Sequence, residues 1–502
     1  MSWAVEFLNR EDGRFLHAPE ACLPVSLEWN DRLGADQALI RCENSGLNLP
    51  YWEYLLGQDV RVYDPAGRLA WWGFLEKVEQ HQAGCIKSLD LGSVFNRAAV
   101  LYQESALFSQ GPPQRSAWKD DLISQEGYGI RQKLFRRAFL HEQVADQMAE
   151  KYLDEHAFLN TRLESFTKED GDRFILRCKG WMHSLAWRIW EGWNGVVEHR
   201  PDQSGVQSLG MEAGSQRIGQ SFTVPESVDS FSFAIRVRRQ GLPSDRLVIA
   251  LQADANGKPS GIDLISQSVQ GADLNDQSYQ WLDLVPQASV RLLAGGKYWL
   301  VLKRSGGIDG QNGYWIGLDE NLGFGNGAML LYNGSSWPGR NPEADMLFRV
   351  VGRKTLVQQI TDLVDFAGQF LNGVDTSQIE GLALPLFLRE NQDCLRCFFD
   401  LLEQGNAGLR PLRAEISPTR RIQIWQQPSQ EEAIYYLEKD GNLSNRFGQT
   451  LSAPWQAVGQ WLQTWDEAPI YISNMKLKIA DGKVSINRKT PSEIQKELVA
   501  VD

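Results

Sequence analysis

The chain has 502 residues, 42% hydrophobic and 23% charged, with a formal net charge of −12. Its length exceeds what one hydrophobic core serves and predicts about three globular units at roughly 150 residues each, while its composition excludes a chain that stays disordered. The acidity argues against a wide surface that grips nucleic-acid phosphates, and no run reaches the ~18 uninterrupted apolar residues of a membrane helix.

The opening run "MSWAVEFLNREDGR" carries charges where a signal peptide is apolar, which predicts synthesis in the cytoplasm. Residues 1–105 read as strands with turn punctuation. In "QDVRVYDPAGRLAWWGFLEKVEQ", Pro and Gly fall at turn positions between Val60–Val62 and Leu69–Trp71, the signature of a hairpin. Over 106–192 the pattern turns helical, with Val144, Met148 and Tyr152 of "HEQVADQMAEKYLDEH" on one predicted face, and a strand, "RFILRCKGW", follows. A polar, Gly-containing passage over about 193–214 reads as a linker.

From 215 to 352 the period becomes two. "SFSFAIRVRR" places Phe231, Phe233, Ile235 and Val237 on one face, and short strands continue at regular intervals, separated by "NGKPSG", "RSGGIDGQNG" and "NGSSWPGRNP". Many short strands without helices predict an antiparallel β-sandwich, taken here as an insertion over 193–352 with its core at 215–352. Residues 353–470 return to helix and strand: Leu356, Ile360, Leu363 and Phe370 share a side of "KTLVQQITDLVDFAGQFL", and "DCLRCFFDLLEQGNAG" ends in helix-stopping glycines. The last segment, 471–502, offers a hairpin around "ADGK" and a charged end. The expected fold is α+β and mostly β.

Six cysteines are scattered without a dense disulfide framework, so reduced thiols are expected. Cys394 and Cys397 form a lone CxxC on one helix face; a zinc ribbon needs a second pair, and core packing is the expectation. No HExxH, GxSxG or GxxxxGK[ST] occurs, and His141 and His183 lack catalytic or ligating neighbours. No metal and no cofactor are therefore expected. A pair of carboxylates for glycoside hydrolysis can come from anywhere in a chain; Asp319, Glu320 and Asp345 are the acidic residues nearest aromatics.

Eighteen Trp and 45 Gly point to strands and tight turns or to ligand-facing aromatic surfaces. In "GGKYWLVLKRSGG", Tyr298, Leu300 and Leu302 share one strand face and Trp299 and Val301 the other, so this stretch reads as scaffold. Trp337 and Tyr332 stand instead among Asn, Ser and Gly, where stacking rings beside amides and hydroxyls suit a sugar. Asp309, Asn312, Tyr332, Asn333 and Trp337 are the carbohydrate-binding candidates.

The segment 215–352, through "QSFTVPESVDSFSFAIRVRRQGLPSDRLVIALQADANGKPSG", "LLAGGKYWLVL", "YWIGLD" and "ADMLFRVVG", resembles jelly-roll-like modules of phage and bacterial surface proteins. The flanking stretches, "GQDVRVYDPAGRLAWWGFLEKVE", "YGIRQKLF" through "FILRCKGWMHSLAWR", and "TLVQQITDLVDFAGQFLNGV" through "GLRPLRAEISPTRRIQIWQQP", resemble in their order the tail-hub, or baseplate-hub, proteins of tailed bacteriophages. That resemblance implies two small β-barrel hub domains with helical segments, a homotrimeric ring at the tail tip and a channel that passes DNA without binding it specifically. It also implies contacts with a distal tail protein, the end of the tape-measure protein and spike or fibre proteins, in the virion, with no enzymatic activity. The jelly-roll resemblance implies attachment to a host-surface glycan or a tail protein. A glycan-processing enzyme or a surface adhesin with a carbohydrate-binding module is the alternative reading.

Overall fold

In the computed structural model, strands from the two ends of the chain lie side by side. Ile470–Lys478 runs antiparallel to Cys22–Asn30, with Leu27 opposite Leu477 and Trp29 opposite Met475. The structure describes residues 2–489 apart from 18–21, 44–48, 83, 104, 107–108, 111–113, 139, 166–172, 193–195, 322, 341–342, 381, 387–390, 406–410, 429–434, 438–442, 446–448, 450–452, 465–469 and 480–482. The charged end expected after the C-terminal hairpin lies outside the described residues from 490 onward. Strand is the dominant element, in several largely antiparallel sheets with a few helices, so the fold is α+β and mostly β.

The chain divides into two units. One gathers Met1–Glu191, Leu356–Leu382 and Asn391–Asp502; the other comprises Gly192–Thr355 and Ala383–Glu390. The first therefore uses chain from both sides of the second. Its largest sheet has 14 strands among the described residues and takes in Arg173–Lys179 between Leu69–Gln82 and Gly34–Glu43. The N-terminal strands are thus not a self-contained sheet.

Local chemistry explains the elements of this unit. The "DPAG" turn is closed by Asp64, whose carboxylate accepts from the amides of Ala66 at 2.9 Å and Arg68 at 2.8 Å, so Asp59–Tyr63 and Leu69–Gln82 pair as the turn signal predicts. The helix Glu142–His156 buries Ala145, Ala149 and Leu153 and leaves Val144 exposed, one position away from the expected stripe. Small alanines let this helix lie close over Arg97–Gln103, against Ala98 and Val100. Cys394 and Cys397 are both fully buried on the face of Cys394–Glu403, and burial pushes the Cys394 thiol up, away from thiolate chemistry.

Three segments distant in sequence meet at one buried ion pair. Arg413 donates to Asp31 at 2.9 Å, to Tyr471 at 3.0 Å and to Gln427 at 2.6 Å, all four side chains being buried. Trp72 donates to the Ile416 carbonyl at 2.9 Å, and Gln369 and Ile130 exchange two hydrogen bonds at 2.9 and 3.0 Å.

The expectation of reduced thiols is corrected at one place. Cys22 and Cys42 stand directly opposite in neighbouring strands, with Cα atoms 4.1 Å apart, and form a disulfide. Their 20-residue separation gives no hint of this; the strand register creates it.

The second unit is a two-sheet sandwich. One sheet orders Val196–His199, Phe348–Thr355, Val228–Gln240, Gly313–Asp319 and Gly205–Leu209; the other orders Pro259–Gln270, Arg246–Asp254, Lys297–Arg304, Arg217–Thr223 and Met329–Tyr332. Phe222 of the second sheet meets Phe348 of the first with ring centroids 6.1 Å apart, which fixes the inner faces. Ala383–Pro385, which the sequence reading leaves in the C-terminal segment, pairs with Phe348–Thr355 and joins this unit. Among the described residues no helix is long and apolar enough to cross a membrane.

Two outcomes are expected from this architecture. Thiol titration in denaturant should find four reactive cysteines before reduction and six after it. Arg413→Ala, which strands a buried carboxylate, should cost about 3–5 kcal/mol in urea unfolding followed by circular dichroism.

Candidate functional site

The alternation of side chains along a strand decides what this sandwich can offer a ligand. In Arg217–Thr223, Ile218, Gln220 and Phe222 are wholly buried and face the other sheet, so Arg217, Gly219 and Ser221 occupy the outer face. Register carries that assignment across the sheet, since Gly219 lies opposite Val301 and Ser221 opposite Trp299. Trp299 therefore points outward, yet it is only 1% exposed.

Near it, over Gly219, lies the loop tryptophan singled out by the sequence. A Cβ built on Gly219 would meet Trp337 Cζ3 at 3.2 Å, Pro259 Cγ at 3.2 Å and Trp299 Cε3 at 3.3 Å. A side chain at this point would have to push Trp337, Pro259 or Trp299 aside by a few tenths of an ångström. The Trp337 ring remains half-buried and meets Tyr332 at 5.1 Å between centroids, tilted by 46°. Trp299 donates its indole N–H to Asp254 at 2.7 Å. Burial alone would raise the Asp254 carboxyl, but that bond, the Gly257 amide and the Lys297 charge bring it below the usual range.

The five predicted residues fall into two groups. Tyr332 and Trp337 contribute rings, and Asn333 closes the loop between them, its Oδ1 accepting from the amides of Ser335 at 3.0 Å and Ser336 at 2.9 Å. That acceptor is spent on the turn. Asp309 and Asn312 belong to another loop: Asp309 accepts from Asn312 Nδ2 at 2.8 Å and from the Gln311 amide at 3.0 Å, and Asn312 Oδ1 accepts from the Leu242 amide at 2.7 Å. The Asn312 hydrogen bond foremost, then the Gln311 amide, draws the Asp309 carboxyl below its ordinary range.

Arg304 anchors this second loop, donating to the Gly210 and Asn312 carbonyls at 2.9 and 2.6 Å and to both oxygens of Asp245 at 2.8 and 3.0 Å. Burial would raise the Asp245 carboxyl, but Arg304, the Gly306 amide and the Tyr314 hydroxyl hold it below the usual carboxylate range.

Of the acidic residues near aromatics, Glu320 pairs with Arg340, and Asp319 and Asp345 hold backbone turns. Asp319 and Asp345 lie opposite each other in neighbouring strands, both buried. Asp319 accepts from the Asn321 and Gly323 amides at 2.9 and 3.1 Å, and Asp345 from the Phe324 amide and Gln220, both at 2.7 Å. His199 and Ser204 each bond to Asp319, at 3.0 and 3.3 Å. No group of three or more ligating side chains that could hold a metal ion occurs among the described residues. The arrangement around Trp337 can stack a ring and hydrogen-bond its substituents. Sequence reasoning missed Trp299, Gly219 and Asp254, whose shared position follows only from strand register.

No family model matches the chain, and no curated protein matches it. Among solved structures, the mosquito-larvicidal Cry4Aa toxin of Bacillus thuringiensis aligns at TM-score 0.17 and 8% identity, over 60% of this chain and 52% of the toxin, so the chain spans about half of that protein. The clostridial cysteine protease Cwp84 aligns at TM-score 0.22 and 10% identity over 70% of each chain, and VP2 of infectious bursal disease virus at 0.17 and 11%, over 65% and 76%. Likenesses this distant carry no functional argument.

A pH dependence follows from Asp245. A carboxyl held below its unfolded value, about 3.9, contributes stability that is present above that pH and lost as pH falls through its folded pKa. Asp245→Asn should therefore destabilise the protein by on the order of 2 kcal/mol at pH 7, with the gap in melting temperature from the parent narrowing as pH falls below the ordinary carboxylate value of about 3.9.

Proposed function

We propose that this chain is a structural, non-enzymatic hub of a phage tail tip or related injection particle, which joins the tail tube to the host-recognition apparatus and passes DNA. The reading is supported above all by the unit assembled from three chain segments around an inserted sandwich. An insertion of that kind keeps a scaffold intact while adding an attachment module, because its two ends return to neighbouring points. In this reading the N- and C-terminal strands form small barrels that pair between three subunits, removing open sheet edges as the ring closes. The net charge of −12 suits a channel wall past which phosphates slide. The partners are the distal tail protein, the tape-measure end and spike or fibre proteins, and the sandwich serves attachment to a host glycan or a tail protein.

Light scattering on the purified chain should give three times the subunit mass of 56.7 kDa, with annular particles by negative-stain electron microscopy. A persistent monomer that does not bind the distal tail protein would sink the proposal.

A further inference from the structure

The outer face of the five-stranded sheet carries a charge pattern that folding alone does not favour. Strand register lines up Ser268, Val248, Lys303, Arg217 and Tyr332 in one row across all five strands. Lys303 and Arg217 are thus directly opposite neighbours of like charge, an arrangement that costs stability in a sheet. Lys303 pairs with Asp263 at 2.6 Å, whereas the Arg217 guanidinium lies over the Tyr332 ring at 5.0 Å and pairs with no carboxylate among the described residues.

More cations gather on the same face. Arg246 belongs to it by alternation with Val248 and donates to Ser268 at 2.9 Å, and Lys297 stands over the outward Trp299 at 5.4 Å. Against these four cations stand two carboxylates, Asp254 and Asp263, each already held by hydrogen bonds from Trp299 or from Gln252 and Lys303. A chain with net charge −12 therefore places more cations than carboxylates beside its half-buried Trp337 ring. The ring row and the cation row share Tyr332, which touches both Trp337 and Arg217.

We infer that this sheet face binds an anionic polysaccharide, with a pyranose ring stacked on Trp337 and its acidic substituent held by Arg217 and Lys303. A sugar presents C–H faces to an indole and hydroxyls at its rim, and a carboxylate offers Arg217 the planar acceptor that its guanidinium lacks among the described residues. The inference rests on the reading of the sandwich as a glycan-attachment module and moves its centre from the loop amides to the sheet. Asp309 and Asn312 serve the loop instead, their polar atoms being engaged there.

The test uses the full chain and three probes in titration calorimetry: polygalacturonate, neutral dextran and oligothymidylate. Polygalacturonate should bind saturably and more weakly as salt rises, with dextran at least about tenfold weaker, a difference of about 1.4 kcal/mol. Trp337→Ala should weaken polygalacturonate about tenfold or more, and Arg217→Gln with Lys303→Gln should abolish the preference over dextran. Arg291→Gln, which removes a cation from the other sheet of the sandwich, should leave affinity unchanged. Equal affinity for dextran, unchanged binding by Trp337→Ala, absence of saturable binding, or equally tight oligothymidylate binding would each overturn the inference. The subunit mass and ring assembly test the hub reading separately, so one can fail while the other stands.

Discussion

The pairing of Ile470–Lys478 with Cys22–Asn30 is the constraint on which the first unit depends, and the buried contact of Asp31 with Arg413 and Tyr471 sits at its end. Asp31 follows the strand Cys22–Asn30, Tyr471 opens the strand Ile470–Lys478, and Arg413 comes from a third segment. A guanidinium with three buried partners is satisfied only when all three segments are in place. Removing one partner leaves a charge without compensation, so the pair acts as a condition on assembly more than as a source of net stability. The contact joins segments that lie on both sides of the second unit in sequence, and the entropic cost of closing so long a connection grows only slowly with its length.

In the sandwich the organising fact is which side of each strand looks inward. Phe222 and Phe348 fix the interior, and everything about the outer face follows from register. Trp299 is buried without belonging to the inter-sheet core, and Trp337 and Pro259 crowd the same point above Gly219. The same crowding leaves the Trp337 ring half-buried beside a row of cations. Asp245 and Arg304, by contrast, spend their charges on each other and on the loop backbone, so the two charged regions of this unit have different characters: one is satisfied internally, the other faces outward with an excess.

The amino-acid pattern determines much of this at the level of elements. The "DPAG" hairpin, the helical runs and the short strands over 215–352 are legible because turn chemistry and side-chain period are local properties. Phase is less secure. Phe231 reads as a core residue in step with Phe233, Ile235 and Val237, but the register slips between Ser230 and Ser232, leaving Phe231 outside the paired positions. The helix Glu142–His156 likewise turns Ala145 and Ala149 inward instead of Val144, since the strand beneath it admits small residues at close range. Neither shift has a signature in composition.

By itself, then, the sequence determined the element types, the location of the all-strand insertion, the burial of the CxxC on one helix face and two aromatic residues of the candidate site, Tyr332 and Trp337. Only tertiary structure decided the Cys22–Cys42 disulfide, the meeting of Asp31 with Arg413, the capture of Ala383–Pro385 by the sandwich, and the row that sets Lys303 opposite Arg217. In all four, residues that no local period relates are brought together, by the register between paired strands in three cases and by the packing of separate sheets where Asp31 meets Arg413.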